Sequence, residues 1–293
     1  MTAGQRVSVI IPHFNDPRGL DICLASLRRQ TYPKDNLEII VGDNDSPQGF
    51  EHIGQVVDGR ARLVRVAARG AGPARNGAAA VASGDVLAFI DADCVAEPDW
   101  VAEGVAALSR YDFVGGLVKV LVQDPRSMTP TEAFERVFAF DFETYINKKG
   151  FTGSGNLFCP RSLFERVGGF RTAVSEDVDW SRRAQALGFR LGYAPRAVVG
   201  HPARRTWAEL VGKWRRTNSE SYKLLAERRG GRFWWLIRSL ALPASAIAHT
   251  PRVLASGELQ TGAQRLAALG VLYRMRFWRL LDSFRLLAGG ASR

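Results

Sequence analysis

Several things are scarce in this chain, and each scarcity removes a class of protein. There are three cysteines, Cys23, Cys94 and Cys159, widely scattered and forming no CxxC pair. That argues against a disulfide framework or a structural zinc site and favours a reducing compartment. No stretch is apolar for eighteen residues; the nearest, FWWLIRSLALPASAIA at 233–248, is broken by Arg238 and Pro243 and is a poor membrane span. The opening MTAGQRVSVIIPHFN runs almost directly into a strand-like segment. Without a charged n-region and an apolar h-region it predicts no secretory signal and a cytoplasmic body. Neither a Walker loop nor a G-x-G-x-x-G fingerprint is found, which disfavours a nucleoside triphosphatase or a dinucleotide oxidoreductase.

Acidic residues are scarce in one part only. Residues 1–199 carry 23 Lys and Arg against 24 Asp and Glu, whereas residues 200–293 carry 17 against 5. The net charge of +11 therefore belongs to the C-terminal third, and the chain reads as two parts. At 46% hydrophobic and 24% charged, the 293 residues have the composition of a globular protein.

What is present in the first part is alternation. VSVII (7–11), LEIIV (37–41), RLVRV (62–66) and VLAFI (86–90) are apolar and rich in β-branched residues, as strands are. Helix-type segments lie between them: DPRGLDICLASLRRQ, PQGFEHIGQVVDG and GPARNGAAAVASG. This predicts an α/β fold with parallel strands and crossover helices, in which ligands sit at the carboxyl ends of the strands. Further on, DFVGGLVKVLV (112–122) predicts one long strand or a strand pair, TEAFERVFAFDFETYI (131–146) a helix, and GFTGSGNLFCP a Gly-rich loop. Helices are predicted at RSLFERVG and VSEDVDWSRRAQALG.

Each of the first four strands delivers polar residues to one edge. They end on Pro12-His13-Phe14-Asn15-Asp16, on Gly42-Asp43-Asn44-Asp45-Ser46, on the loop from Arg69 to Asn76, and on Asp91-Ala92-Asp93. Two carboxylates one residue apart at a strand end suit Mg²⁺ or Mn²⁺; the plainer alternative is a solvated turn. Asp43 is placed to accept from a base or ribose, or else forms an Asx-turn. The Gly- and Ala-rich helix start with Arg69 and Arg75 suits a diphosphate. Glu176, Asp177 and Asp179, followed by Trp180, open a helix, where they either complement its dipole or include a general base. His201 is a metal ligand or a surface histidine. TGSGN (152–156) is a turn or brings its backbone and Asn156 to a hydroxylated substrate.

Taken in order, VSVIIPHFND, VGDNDS, GPARNGAAAVASGDVLAFIDAD, GSGNLFCPRSLFERVGGF and SEDVDWSRRAQALGFRLGYAP resemble the family 2 glycosyltransferases over about residues 6–201. The resemblance implies the GT-A fold, a Rossmann-like mixed sheet flanked by helices. It implies inverting transfer from a nucleotide-diphosphate sugar. Pro12, Phe14, Asn15, Asp43, Arg69, Arg75 and Asp91 would then bind the nucleotide sugar, and Asp93 with Asp91 and His201 would hold Mg²⁺ or Mn²⁺. Asp177, beside Glu176, becomes the base, and Gly153, Ser154, Gly155, Asn156, Asp179 and Trp180 face the acceptor. VGDNDS departs from the DDGS or DNxS that such enzymes often carry, which loosens the donor base; a UDP-sugar is favoured. DWSRRAQ is not the QxxRW of chain-extending members, so a single-addition enzyme is expected, acting on a glycan or lipid-linked acceptor. A sugar-nucleotide pyrophosphorylase would need a Gly-rich, Arg-containing loop after the first strand, which IPHFND is not. An inactive binding scaffold is opposed by the intact Asp91-Ala92-Asp93 and Glu176-Asp177.

The expected division is a catalytic domain at 1–203, with a nucleotide-sugar half at 1–110 and an acceptor half at 111–203, followed by a basic helical region at 204–293. In that region Arg, Lys, Trp and Phe interleave with Leu at helical spacing. This suits helices lying in an anionic membrane surface, at the inner face of the cell membrane. A layer packed on the catalytic domain or a homodimer contact is the alternative. No zinc, helix-turn-helix or RNP pattern supports nucleic acid as a partner.

Overall fold

The structure is a computed structural model and describes residues 4–289. Strand β1 (Val7–His13) leads to α1 (Pro17–Leu27), which begins where the Asp16 side chain accepts from the Gly19 N–H at 2.9 Å and Pro17 fills the first helical position. After a single turn of 3₁₀ helix at Lys34–Asn36 come β2 (Leu37–Asp43), α2 (Phe50–Val57), β3 (Arg62–Arg65), α3 (Ala71–Ala79) and β4 (Val86–Ile90). All five residues of β4 are buried, as the continuous apolar run of a central strand covered on both faces requires.

The chain continues through β5 (Val95–Ala96), α4 (Trp100–Ala107), β6 (Phe113–Leu121), α5 (Pro130–Phe138) and α6 (Phe142–Lys149). Then follow β7 (Asn156–Pro160), α7 (Arg161–Val167), α8 (Glu176–Ala186) and β8 (Leu191–Pro202). Last come α9 (Trp207–Ala226), α10 (Gly231–Leu240), α11 (Leu242–Leu254) and α12 (Gly262–Leu287).

The strands form one eight-stranded mixed sheet in the order β3-β2-β1-β4-β7-β6-β8-β5. β1, β2, β3 and β4 are parallel to one another, while β7 pairs antiparallel to both β4 and β6. Two local expectations are revised. LFCP belongs to strand β7 and not to a Gly-rich loop, because Leu157, Phe158 and Cys159 bury their side chains beside β4. The single helix expected over 131–146 is two helices: Phe140 takes a left-handed φ of 55°, and Asp141 caps a new start by accepting from the Thr144 N–H at 3.3 Å.

The chain divides into two compact units. Of the described residues, the first comprises 4–119, 141–172 and 176–201 and contains most of the sheet. Its core gathers Ile10, Ile40 and Phe89 with Phe113, Phe164, Phe170 and Trp180, and Trp180 meets Phe113 edge-on at 5.4 Å.

Of the described residues, the second comprises 120–140, 173–175 and 202–289. Residues 120–140 thus group with the basic helices and not with the acceptor half expected at 111–203. The reason is that Ala133, Phe134 and Val137 of α5 pack with Leu210, Val253, Leu272 and Met275. Within this unit the buried Glu135 pairs with Arg204 at 3.0 Å and Lys213 at 3.2 Å. Burial alone would raise its pKa, but the two cations overrule that and hold it below the ordinary carboxylate value. Burial lowers Lys213 to about 8, against the opposing pull of Glu135.

Candidate active site

In the first unit the strand ends converge as the sequence pattern requires. The parallel register sets His13 at the end of β1 opposite Asp43 at the end of β2. Both side chains are buried, with His13 Nδ1 2.8 Å from Asp43 Oδ1. His13 Nε2 accepts the Asp16 backbone N–H at 3.3 Å, so the ring proton sits on Nδ1 and is donated to Asp43. The Ser46 hydroxyl donates to Asp43 Oδ1 at 2.6 Å and the Ser46 N–H to Oδ2 at 3.2 Å. Asn44 ties down the next loop: its amide donates to the Val66 and Ala68 carbonyls at 2.9 and 2.7 Å and accepts the Gly70 N–H at 2.7 Å. His13, Asn44 and Ser46 were not picked out as site residues from sequence. Their signal was position alone, at the ends of neighbouring strands.

The end of β4 shows what each of the two aspartates meets. Arg75, buried in α3, places Nη2 2.5 Å from Asp91 Oδ1 and pairs through Nη1 with Glu176 at the start of α8. Burial would weaken the guanidinium as a base, but Asp91, Glu176 and Asp177 overrule it and keep it charged. Two glycines make the approach possible. A Cβ on Gly72 would lie 2.5 Å from Glu176 Oε2, and one on Gly155 would lie 2.6 Å from Asp91 Oδ2. Arg75 therefore differs from the expectation of an open diphosphate ligand, since both of its Nη atoms are held by carboxylates. Arg69 stands exposed on the loop before α3.

Next to this bridge, Asp177 Oδ1 accepts the Ser154 backbone N–H at 3.0 Å. Burial raises the pKa of Asp177, with Asp91 adding to the rise and Arg75 and Ser154 opposing it. Glu176 is raised for the same first reason, with Asp177 and Asp91 adding and Arg75 opposing. Asp93 turns to a different partner. Its Oδ2 lies 3.3 Å from His201 Nε2 near the end of β8, and Cys94 Sγ falls in the same cluster. A carboxylate with an imidazole is a donor pair that fits a divalent ion such as Mn²⁺. Cys94 is the weakest donor of the three for such an ion, because a soft sulfur suits Mg²⁺ or Mn²⁺ less well than carboxylate or imidazole. Without a cation, burial and the charges of Asp91 and Asp93 push its thiol well above the ordinary value.

The Glycosyl transferase family 2 profile matches residues 8–171, more than half of the chain, from within β1 to beyond α7. This chain belongs to glycosyl transferase family 2. Glycosyltransferase AglE of Haloferax volcanii is 33% identical over 215 residues, covering 71% of this chain and 70% of that protein. Among solved structures, the mannosyltransferase PcManGT of Pyrobaculum calidifontis, determined with GDP-Man and Mn²⁺, superposes with a TM-score of 0.52 at 22% identity, covering 99% of this chain and 76% of that one. GalNAc-T7, determined with UDP, GalNAc and Mn²⁺, gives a TM-score of 0.54 at 20% identity over 70% of this chain and 45% of that one. The fold of this family 2 glycosyltransferase is the GT-A fold, with a C-terminal helical region added to it.

The remaining residues expected at the site are placed unevenly. Pro12 is half-buried opposite Gly42, and Phe14 is exposed. Asn15 takes a left-handed φ of 57° and gives its N–H to Ser46 Oγ at 3.0 Å. Of the six acceptor candidates, three are structural in this family 2 chain. Asn156 is wholly buried: its Oδ1 accepts from Trp100 Nε1 at 2.9 Å, and its Nδ2 donates to the carbonyls of Leu117 and Ala197 at 3.0 and 2.9 Å. Asp179 is pinned between Arg171 at 2.9 Å and Arg183 at 2.8 Å. Trp180 is fully buried and donates to the Gly168 carbonyl at 3.0 Å. Gly153 lies under the ring of Phe142, so of TGSGN it is Ser154 and Gly155 that stand against Asp177 and Asp91.

Proposed function

We propose that the chain is an inverting, single-addition glycosyltransferase that moves a sugar from a nucleotide-diphosphate sugar to a hydroxyl of a glycan or lipid-linked acceptor. The observation that supports this most is the Arg75 bridge. It draws the helix start carrying Glu176 and Asp177 against Asp91, at the sheet edge where open α/β sheets bind ligands.

The nucleotide end would occupy the edge formed by β1, β2 and the loop before α3. Pro12, Phe14 and Asn15 border it. Asp43 is held by His13 and Ser46 so that Oδ2 keeps one lone pair for a base N–H. Arg69 supplies an exposed cation toward the diphosphate, and a UDP-sugar is the favoured donor. Asp93 and His201 would hold Mg²⁺ or Mn²⁺, which offsets the charge that gathers on the departing nucleotide diphosphate. PcManGT and GalNAc-T7, solved with Mn²⁺ and with GDP-Man or UDP, share this fold.

Asp177 is the proposed base. Its raised pKa makes it a better proton acceptor than an ordinary carboxylate while the Ser154 N–H fixes its direction. As the acceptor oxygen bonds to the anomeric carbon, its proton passes to Asp177. The bond from that carbon to the phosphate oxygen breaks on the opposite face of the sugar. A single displacement of this kind inverts the anomeric centre. Arg75 and Glu176 act as positioning residues for Asp91 and Asp177.

The test is a transfer assay over UDP-, GDP- and dTDP-sugars with and without Mn²⁺. Metal-stimulated release of nucleotide diphosphate from one of them, with inversion in the product, is expected. No release from any sugar nucleotide, with or without Mn²⁺, would reject the reading.

A further inference from the structure

Among the described residues, sixteen large apolar side chains are exposed, and eleven of them lie in residues 233–284 of the second unit. They are not scattered there. On α12, Leu266, Tyr273, Phe277, Leu281 and Phe284 follow one another at i, i+7, i+11, i+15 and i+18, a single stripe of an α-helix. On α10, Phe233, Trp234, Ile237 and Leu240 form another, and Ile247 and Leu254 mark the outer face of α11. The opposite faces are spent on the core: Trp235, Ala246, Val253, Leu272 and Met275 are buried. Hydrogen bonds join the three outer faces. Thr250 of α11 meets the Tyr273 hydroxyl at 3.0 Å, and Arg232 of α10 donates to the Leu287 carbonyl of α12 at 2.8 Å, at the Phe284 end.

The charge around this surface is of one sign. Residues 231–287 hold eight arginines and two acids. Glu258 pairs with Arg136, and Asp282 is buried against Arg285. Arg232, Arg238, Arg252 and Arg274 are exposed on the same three helices. Among the described residues no helix is long and apolar enough to cross a membrane. Aromatic and aliphatic stripes flanked by arginine are the composition of helices that lie in a headgroup layer. A second copy of this chain would bring the same positive charge to the contact, whereas an anionic bilayer complements it.

We propose that the joined outer faces of α10, α11 and α12 form a docking surface for an anionic lipid bilayer. Trp234, Ile247 and Phe277 enter the interface, and the arginines engage lipid phosphates. The proposal is independent of the reaction assigned to the first unit.

The test is co-sedimentation of the full chain with phosphatidylcholine vesicles with and without phosphatidylglycerol. Binding is expected to be at least about tenfold stronger with phosphatidylglycerol and to weaken in about 1 M salt, where screening acts over about 3 Å. The triple variant Trp234→Ser, Ile247→Ser, Phe277→Ser changes exposed groups only. It is expected to keep its melting temperature and lose binding by about tenfold or more. Wild-type protein that stays in the supernatant, or a triple variant that binds as well, overturns the proposal. A doubled solution mass that the triple variant halves would give the surface to a second copy and overturn it as well. Sugar-nucleotide turnover, read in the same samples, tells a failure here apart from a failure of the transferase reading.

Discussion

Asp91 and Glu176 share one guanidinium, that of Arg75, with Asp91 Oδ1 2.5 Å from Nη2 and Glu176 paired through Nη1. The two aspartates of FIDAD therefore have separate partners, Asp91 an arginine and Asp93 the His201 imidazole at 3.3 Å. The pair is a junction, with one carboxylate tied to the start of α8 through Arg75 and the other turned to His201 and Cys94.

Asp177→Asn is expected to lower transfer by about 10²–10⁴-fold while leaving donor affinity within a few-fold of wild type. Initial rates together with calorimetric titration of the donor check this. Wild-type transfer by the variant would place the base elsewhere.

The pH profile carries a sign. Burial holds Asp177 above its ordinary 3.8 and Glu176 above its ordinary 4.5. A base must be deprotonated, so the acid limb of kcat/KM is expected above the range of a free aspartate. Raised carboxylates bind protons more tightly folded than unfolded. Their contribution to stability is complete below those ordinary values and declines as pH rises through the folded ones. Chemical denaturation from pH 4 upward should show Glu176→Gln losing part of this decline.

His201→Ala and Asp93→Ala are each expected to raise the Mn²⁺ concentration needed for half-maximal turnover by about tenfold or more, at least as much as losing a group that only orients a ligand. Cys94→Ser should change it little, because sulfur is a softer donor than Mn²⁺ prefers. A Cys94→Ser effect equal to that of His201→Ala would mean that sulfur is a ligand.

Asn156→Leu removes partners from Trp100 Nε1 and the carbonyls of Leu117 and Ala197. At about 1–3 kcal/mol per buried group left unsatisfied, a loss near 3 kcal/mol or more is expected in denaturant melts. Unchanged stability with a raised acceptor KM would return Asn156 to the acceptor site.

Glu135→Ala strands Arg204 and Lys213 beside a buried vacancy and is expected to cost about 3 kcal/mol. Lys213, lowered to about 8, gives a second reading of this cluster. Its contribution to stability is present above the ordinary lysine value and falls as pH drops through about 8.

Much of the first unit was legible because strand-ending residues declare themselves. VLAFI is apolar throughout, as suits a strand buried on both faces. The polar groups that follow four such runs must then emerge at one edge, so Asp43, Asp91 and Asp93 could be named without coordinates. β7 was hidden because LFCP follows a Gly-rich segment and is too short to show a period. The break at Phe140 was hidden because a left-handed aromatic residue has no signature in composition.

The order of residues by itself determined the first four strands, the edge that gathers the carboxylates, and where positive charge accumulates, since these depend on local periodicity and charge. Only tertiary structure decided who faces whom. Arg75 went to Asp91 and Glu176, Asn156, Asp179 and Trp180 went to the interior, and α5 joined the basic helices. Such choices depend on which distant groups a buried cation, amide or apolar stripe can reach once water has been excluded, and chain position does not encode that distance.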